Sequence, residues 1–274
     1  MWIDTHAHLF LLVESPEAVL PDRNALKTAL APVLSQAQEE GVAGIICPGI
    51  DRATSEVSIA IAECFPGLVW AAVGIHPNSA SQATEDDWQT ITQLATHPSV
   101  VAIGETGLDW FRNFTPREQQ LKWFEYHLDL SRQIAKPVIV HCRDAEEDVT
   151  MALERARRSG PLAGVMHACA AGWNTVKQWL DLGMFVSFAG SVTFSNKKHL
   201  HIRETAQYVP LNRILIETDS PFLVPEPLRG RVQVCVPSHV VLTGEFTARL
   251  RGISVSEFAE ATSYNAVHLF QTAS

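Results

Sequence analysis

The stretch PVIVHCRD (residues 137–144) decides the fold, because it joins an uninterrupted apolar run to a cluster of polar side chains. Four apolar residues in a row, without alternation, predict a strand that is buried on both faces, as in parallel sheets. His141, Arg143 and Asp144 follow at the point where that strand should end. The stretch therefore predicts a parallel strand that carries polar groups to the edge of the sheet.

Similar apolar runs recur along the chain, and segments with helical spacing lie between them. The other runs are WID (2–4), GVAGIICPG (41–49), LVWAAVGIHP (68–77), VVAIGETG (100–107), LAGVMHA (162–168), GMFVSF (183–188) and NRILIETD (212–219). The helical segments include ALKTALAPVLSQAQEEG, TSEVSIAIAECF, EDDWQTITQLATH, PREQQLKWFEYHLDLSRQIAK, AEEDVTMALERARRSG and WNTVKQWLDLG.

Eight strand–helix units in 274 residues predict a (β/α)₈ TIM barrel of the α/β class. A doubly wound open sheet is the alternative, but no Gly-x-Gly-x-x-Gly follows a strand to favour its dinucleotide-binding form. No low-complexity linker or change in composition divides the chain. We expect one domain over residues 1–274, with a helical C-terminal tail.

Local signals also predict where helices begin and end. Thr115 and Pro116 are expected to be the N-cap and the first residue of a helix. Gly41, Gly160 and Gly183 lie where helices should stop.

Composition limits the classes of function. The formal net charge of −9 argues against a broad basic surface that wraps nucleic acid, although a small site for one strand end remains compatible with it. No apolar run is long enough to span a bilayer, and no secretory signal is recognisable, so no membrane partner is expected. Five scattered cysteines predict reduced thiols and a cytoplasmic location.

Polar side chains that can bind metal recur at the predicted strand ends, which a parallel barrel brings to one mouth. A lone His-x-His such as His6 and His8 is more often a polar strand end than a metal site. Several such groups together are costly to bury without a partner, and a divalent ion is the natural partner. The residues at these positions are His6, His8, His76, Glu105, His141, His167 and Asp219.

Six of these side chains exceed the need of one tetrahedral ion. We therefore expect two divalent metal ions, with Zn²⁺, Mn²⁺ or Mg²⁺ compatible with nitrogen and oxygen ligands. Glu105 is the candidate bridge, and Asp219 is expected both to bind metal and to accept a proton from the attacking water. The expected ligands are His6, His8, Glu105, His141, His167 and Asp219.

The chain resembles the TatD-like metal-dependent deoxyribonucleases, within the amidohydrolase-type barrels. The matching pieces run in family order over nearly the whole chain, and the two most specific are KPVIVHCRDA (136–145) and LIETDSPFLVP (215–225). The others are IDTHAHL (3–9), VGIHP (73–77), IGETGLDW (103–110), REQQ (117–120) and YNAVHLF (264–270). The resemblance implies a barrel, two ions on the six ligands named above, and hydrolysis of phosphodiester bonds, often as an exonuclease on DNA.

Two loops depart from the family pattern. After His167 the family continues Cys-Phe-Ser/Thr-Gly, whereas this chain has Ala-Cys-Ala-Ala-Gly at 168–172. Arg229 and Gly230 are present, but the Asn of the following Asn-x-Pro is absent before Pro237. These departures leave the metal ligands intact and bear on the choice of substrate.

Candidate substrate contacts are His76, Arg143 and Arg229. The family places His76 in the pocket, so it is expected to contact substrate and contribute to catalysis. Arg143 could bind phosphate or form a structural salt bridge with Asp144 or Asp219. Among other post-strand groups, Trp110 and Phe111 could stack a base or cap the barrel, while Lys197, Lys198, His199 and Arg203 could bind phosphate or form a solvated helix face.

Three functions compete at this stage. The first is a two-metal deoxyribonuclease that acts on single-stranded DNA or strand ends. The second is a hydrolase of an amide, ester or lactone bond, because the same centre polarises a carbonyl or a phosphoryl oxygen. The third is a non-catalytic barrel, against which the intact ligand set argues. No protein partner is predicted.

Overall fold

Eight parallel strands follow one another in chain order around the sheet, as a barrel requires. The computed structural model describes residues 1–13, 22–112 and 114–272. The strands are β1 Trp2–Asp4, β2 Val42–Pro48, β3 Val69–Val73, β4 Val100–Asp109, β5 Val138–Arg143, β6 Gly164–Met166, β7 Met184–Phe188 and β8 Ile214–Ile216.

Helices alternate with these strands and cover the outside of the sheet. They are α1 Arg23–Glu39, α2 Arg52–Cys64, α3 Glu85–Leu94, α4 Arg117–Ile134, α5 Glu146–Arg158, α6 Trp173–Asp181, α7 Leu200–Tyr208, α8 Val240–Arg251 and α9 Val255–Phe270. Within the described ranges, none of these helices combines the length and the apolar composition that crossing a bilayer requires.

Backbone hydrogen bonds between the residues that follow β1 and the carboxyl end of β8 with its following residues close the barrel. Thr5 N–H donates to Ile216 O at 3.2 Å, Asp219 N–H to His6 O at 2.9 Å, and His8 N–H to Ser220 O at 2.8 Å. An open doubly wound sheet would leave these two edges apart. The prediction of a (β/α)₈ barrel is therefore confirmed.

Side chains on each strand alternate between two apolar layers. Outward residues such as Val138 and Val140 pack against the helices. Inward residues such as Ile46 and Ile139 fill the barrel interior, together with Phe270 from α9. The interior is therefore a packed core at the bottom, and only its carboxyl end is left for polar groups.

Helix boundaries follow local signals in most places. Gly41, Gly160 and Gly183 each have positive φ just beyond a helix, so the predicted helix stops are confirmed. The prediction for the start of α4 is wrong by one residue. Pro116 is the N-cap and the helix begins at Arg117, because the Thr115 hydroxyl is engaged elsewhere, donating to Asn78 O and accepting from Ser81 N–H.

Candidate metal centre

Glu105 lies at the centre of the barrel mouth with its two carboxylate oxygens facing different sets of imidazoles. Oε2 lies 3.2 Å from His6 Nε2 and 3.3 Å from His8 Nε2. Oε1 lies 3.0 Å from His141 Nδ1 and 2.9 Å from His167 Nε2. The side chain is 3% exposed, so the carboxylate has little access to water.

Asp219 joins the first of these sets. Its Oδ1 lies 3.9 Å from His6 Nε2 and 3.6 Å from His8 Nε2. The backbone of Asp219 takes a left-handed conformation with φ of 56°, which is uncommon outside glycine and is found at functional sites. The bonds that close the barrel hold this residue beside β1, so one feature of the fold positions His6, His8 and Asp219 together.

The structure thus brings together all six side chains that the sequence predicts as ligands. Three groups of three residues have ligand atoms within 4.8 Å of one another: His6, His167 and Asp219; His6, His8 and Glu105; and His76, Glu105 and His141. Atoms that bind one tetrahedral ion at about 2.0–2.1 Å must lie roughly 3.3 Å apart. The separations around both oxygens of Glu105 are close to that value.

The donor set fits divalent metal better than it fits a hydrogen-bonded cluster. Glu105 Oε2 has no hydrogen-bond partner although two imidazole nitrogens lie within 3.3 Å of it. His6 Nε2 and His8 Nε2 lie 3.1 Å apart, close to the spacing of two ligands of one ion, and the buried His6 Nδ1 has no hydrogen-bond partner. Nitrogen and oxygen atoms that converge in this way are typical of groups arranged around a cation.

Neighbouring acceptors orient three of the four expected imidazole ligands, so that the nitrogen facing the centre is free to bind metal. His8 Nδ1 lies 3.2 Å from Pro48 O, and His167 Nδ1 lies 3.2 Å from Glu217 Oε1. His141 is turned the other way, with Nε2 at 3.3 Å from Asp109 Oδ2. Because each acceptor takes one ring N–H, the opposite nitrogen carries the lone pair when the ring is neutral.

His76 has a different hydrogen-bond pattern from the histidines among the six expected metal ligands. Its Nδ1 accepts the backbone N–H of Asn78 at 3.0 Å, so a neutral ring carries its proton on Nε2. That Nε2 lies 3.2 Å from Glu105 Oε1. His76 therefore points a hydrogen-bond donor into the centre.

The pKa values of the ionisable groups in the centre shift in opposite directions. Burial alone would raise the pKa of Glu105, but the surrounding imidazoles, His167 foremost, hold it well below its usual range. Burial would lower the pKa of His167, yet Glu105 and then Glu217 together raise it well above the ordinary value. Burial raises the pKa of Asp219 to about 7, with His167 and His8 opposing.

The two predicted arginine contacts are Arg143, the last residue of β5, and Arg229, in the segment that follows β8, and both stack on aromatic rings. Arg143 lies with its guanidinium carbon 3.8 Å from the ring centroid of Phe111. Within the described residues it forms no ion pair with Asp144 or Asp219, so the salt-bridge alternative is wrong. Arg229 stacks in the same way on Phe194 at 3.8 Å and is exposed.

Other post-strand residues divide between structure and solvent. Trp110 Nε1 donates to Asp148 at 2.9 Å and Arg117 covers its ring at 4.5 Å, so Trp110 caps the barrel. The Arg203 guanidinium donates to three carbonyls after β7, at 2.7–3.2 Å, which contradicts a solvated helix face for that residue. Lys197 and Lys198 are exposed on a short 3₁₀ turn, Lys197–His199.

Three buried carboxylates that support the centre have no role in the sequence-based predictions, although Asp4 and Glu217 lie at predicted strand ends. Asp109 and Glu217 orient His141 and His167, as described above. Asp4 accepts from Thr218 N–H at 2.8 Å and Thr218 Oγ1 at 2.6 Å, so it ties β1 to the residue before Asp219. Burial raises the pKa of Asp4 to about 8, and the bonds from Thr218 oppose that effect.

The fold and this cluster define a class: a metal-dependent hydrolase built on a (β/α)₈ barrel. The family described as TatD related DNase matches residues 3–271 of the chain. The chain belongs to this family, and the resemblance that its motifs indicate is confirmed.

Relatives of known name agree with this assignment. The chain is 34% identical over 271 residues to the uncharacterized metal-dependent hydrolase YabD of Bacillus subtilis, covering 99% of each chain. It is 35% identical over 214 residues to the 3'-5' ssDNA/RNA exonuclease TatD of Musicola paradisiaca, covering 76% of this chain and 80% of the relative. The crystal structure of YjjV, a TatD homolog from Escherichia coli K12, superposes with a TM-score of 0.85 at 25% identity, covering 98% of each chain.

Proposed function

We propose that this protein is a metal-dependent exonuclease that shortens single-stranded DNA from its 3′ end. The observation that carries the proposal is the carboxylate of Glu105, which faces one ligand set with each oxygen. The name of the Musicola relative supports the substrate and the direction of digestion. Five free cysteines support a reducing, cytoplasmic setting.

Two divalent ions fit the centre, and Glu105 would bridge them. His6, His8 and Asp219 would complete one coordination set, and His141 and His167 the other. Such ions activate a water for attack and offset the negative charge of a phosphodiester. Mg²⁺, Mn²⁺ and Zn²⁺ all accept these nitrogen and oxygen ligands.

The chain's own groups supply the remaining steps. Asp219 lies at the edge of the first set, where its carboxylate is placed to accept the proton of the attacking water. His76 directs its Nε2–H into the same space, where it would donate to a non-bridging phosphate oxygen. Arg143 and Arg229 offer guanidinium groups to phosphates further along the strand.

The experiment is hydrolysis of a short, labelled single-stranded DNA by metal-stripped protein, with Mg²⁺, Mn²⁺ or Zn²⁺ added back singly. We expect stepwise shortening from the 3′ end that requires metal. Asp219→Asn should lower the rate about 100-fold or more while part of the metal stays bound, because the proton acceptor is gone. Glu105→Ala should lose bound metal and activity together.

Asp148→Asn is the matched control, because Asp148 bonds Trp110 outside the ligand set and should leave metal content and rate near wild type. A Glu105→Ala protein that cleaves at the wild-type rate would contradict the assignment of the centre. Absence of cleavage with every metal, in a protein that still binds two ions, would contradict the nuclease and favour an amide, ester or lactone substrate.

A further inference from the structure

Phe222 is a large aromatic side chain that stands exposed at the edge of the metal centre. It follows Asp219 by three residues, and its side chain is 52% exposed. Its ring centroid lies 6.3 Å from that of His8, with the two planes at 70°. The two rings therefore meet edge to face and do not stack, and about half of the Phe222 surface is open to solvent beside the centre.

The backbone that carries Phe222 is fixed. Phe222 N–H donates to Asp219 O at 2.8 Å, which closes a turn on the expected metal ligand. Cys235 N–H donates to Pro221 O at 3.0 Å and ties the following loop to this turn. The Ser220 hydroxyl lies 2.7 Å from that of Thr218 and is buried. The Phe222 ring is therefore exposed although hydrogen bonds hold the turn that carries it in place.

Packing does not account for this ring. Phe10 also lies beside His8, with 5.5 Å between the ring centroids, but it is packed against the core. An exposed phenyl ring gains little from the hydrophobic effect and has no polar group to hydrate. Beside a centre for phosphodiester hydrolysis, the ligand that gains most from such a ring is a nucleobase, because every base presents a flat face for stacking.

We propose that Phe222 stacks one of the two bases that flank the scissile phosphodiester. This inference rests on the proposed nuclease function and adds the substrate contact that selects single strands. A base can lie on the ring only when it has left its pairing partner, so duplex ends must fray before they bind. Stacking tolerates any base, so Phe222 supports digestion without sequence preference.

The first test compares kcat/KM for two labelled DNA strands that differ only at their 3′ end. One strand is intact, and the other has abasic sites in place of its last two nucleotides. Phe222→Ala should lower kcat/KM for the intact strand by about 5- to 150-fold, the range for loss of one base stack. It should change kcat/KM for the abasic strand less than twofold, and Phe222→Trp should retain the wild-type value.

Tyr264→Ala is the matched control. Tyr264 is 71% exposed on α9 and lies beside Leu211, which precedes β8, so it is at the opposite end of the barrel. Its removal should leave both strands unaffected. Bound metal and thermal unfolding of each variant establish that the centre and the fold are intact.

Two kinetic outcomes would overturn the proposal. An unchanged rate in Phe222→Ala means that the ring contacts no base. Equal losses on the intact and abasic strands mean that the ring shapes the centre and does not recognise a base.

A binding measurement separates failure of this proposal from failure of the nuclease function. Fluorescence anisotropy of a labelled strand, measured in the Asp219→Asn background, reports binding without turnover. If wild-type protein cleaves no strand, the nuclease proposal fails, and binding alone decides the role of Phe222. Weaker binding in Phe222→Ala, restored in Phe222→Trp, would support stacking, whereas equal binding or no binding would overturn it.

Discussion

Asp109 determines which nitrogen of His141 faces the metal centre. Its Oδ2 lies 3.3 Å from His141 Nε2, and Asn78 Nδ2 donates to the same oxygen at 3.3 Å. Its Oδ1 accepts the backbone N–H of Arg112 at 2.8 Å, so the carboxylate is held in place. With Nε2–H directed at Asp109, Nδ1 of His141 presents its lone pair to the centre.

Asp109→Asn should therefore weaken metal binding without removing a ligand. The amide side chain introduced at this position would either place its N–H₂ opposite His141 Nε2 or lose the bond from Asn78. The His141 ring would then favour the tautomer that carries its proton on Nδ1. We expect metal affinity to fall about 10- to 100-fold, the usual effect of losing such a partner. Titration against a chelating dye measures it, and Asp148→Asn serves as control. An affinity within twofold of wild type would show that Asp109 does not set the tautomer.

Some residues of the metal centre can be predicted from the sequence, and others cannot. Glu105 and the four expected histidine ligands follow from apolar runs whose ends a barrel must bring together. Asp109 was missed because the predicted strand ends at residue 107, whereas β4 runs to Asp109. Alternation along this longer strand gives Glu105 and Asp109 the same parity, so a correct strand end would have revealed it. The stack of Arg143 on Phe111 joins the end of β5 to the segment after β4, and no local pattern encodes it.

At the scale of elements, His127 of α4 holds the segment that follows β3. Its Nε2 accepts the backbone N–H of Ile75 at 2.9 Å, and its Nδ1–H donates to Trp123 O at 2.6 Å. The ring is fully buried, and burial lowers its pKa to about 4. Only the neutral ring satisfies the bond from Ile75, so this junction between helix and strand depends on pH.

The pKa of His127 predicts a loss of stability in acid. Its folded-state pKa of about 4 lies below the unfolded value of about 6.5, so the unfolded chain takes up the proton first. The contribution is complete above pH 6.5 and is lost as the pH falls toward 4. Relative to His127→Gln, wild type should lose about 3 kcal/mol of unfolding free energy over this range.

Urea denaturation at several pH values, in the presence of a fixed excess of chelator, measures this difference. His268→Gln, at an exposed position of α9, is the control and should follow the wild-type pH dependence. Parallel pH profiles for wild type and His127→Gln would contradict the assignment of the neutral ring.

At the scale of the whole molecule, the order of elements and the barrel were predictable from the sequence, whereas the individual bonds that close the barrel were not. Eight apolar runs with helices between them admit few folds, and the barrel is the one that buries every run on both faces. The bonds that join β1 to β8 connect residues about 210 positions apart, such as Thr5 and Ile216, which no local window detects. We propose one domain over residues 1–274, because α9 packs against both β1 and β8.

Asn265 is the residue of α9 that secures this closure, and its loss should destabilise the barrel. Its Nδ2 donates to Leu211 O at 2.8 Å and to Ile214 O at 2.9 Å, at the start of β8, and the residue is 4% exposed.

Asn265→Ala leaves two carbonyls without their donor, at a cost of about 1–3 kcal/mol each. We expect the unfolding free energy to fall by about 2–6 kcal/mol in urea denaturation at fixed metal concentration. Asn24→Ala, at an exposed position of α1, should change it by less than about 0.5 kcal/mol. A similarly small change in Asn265→Ala would mean that the apolar contacts of α9 alone close the bottom of the barrel, and that the hydrogen bonds of Asn265 add nothing to them.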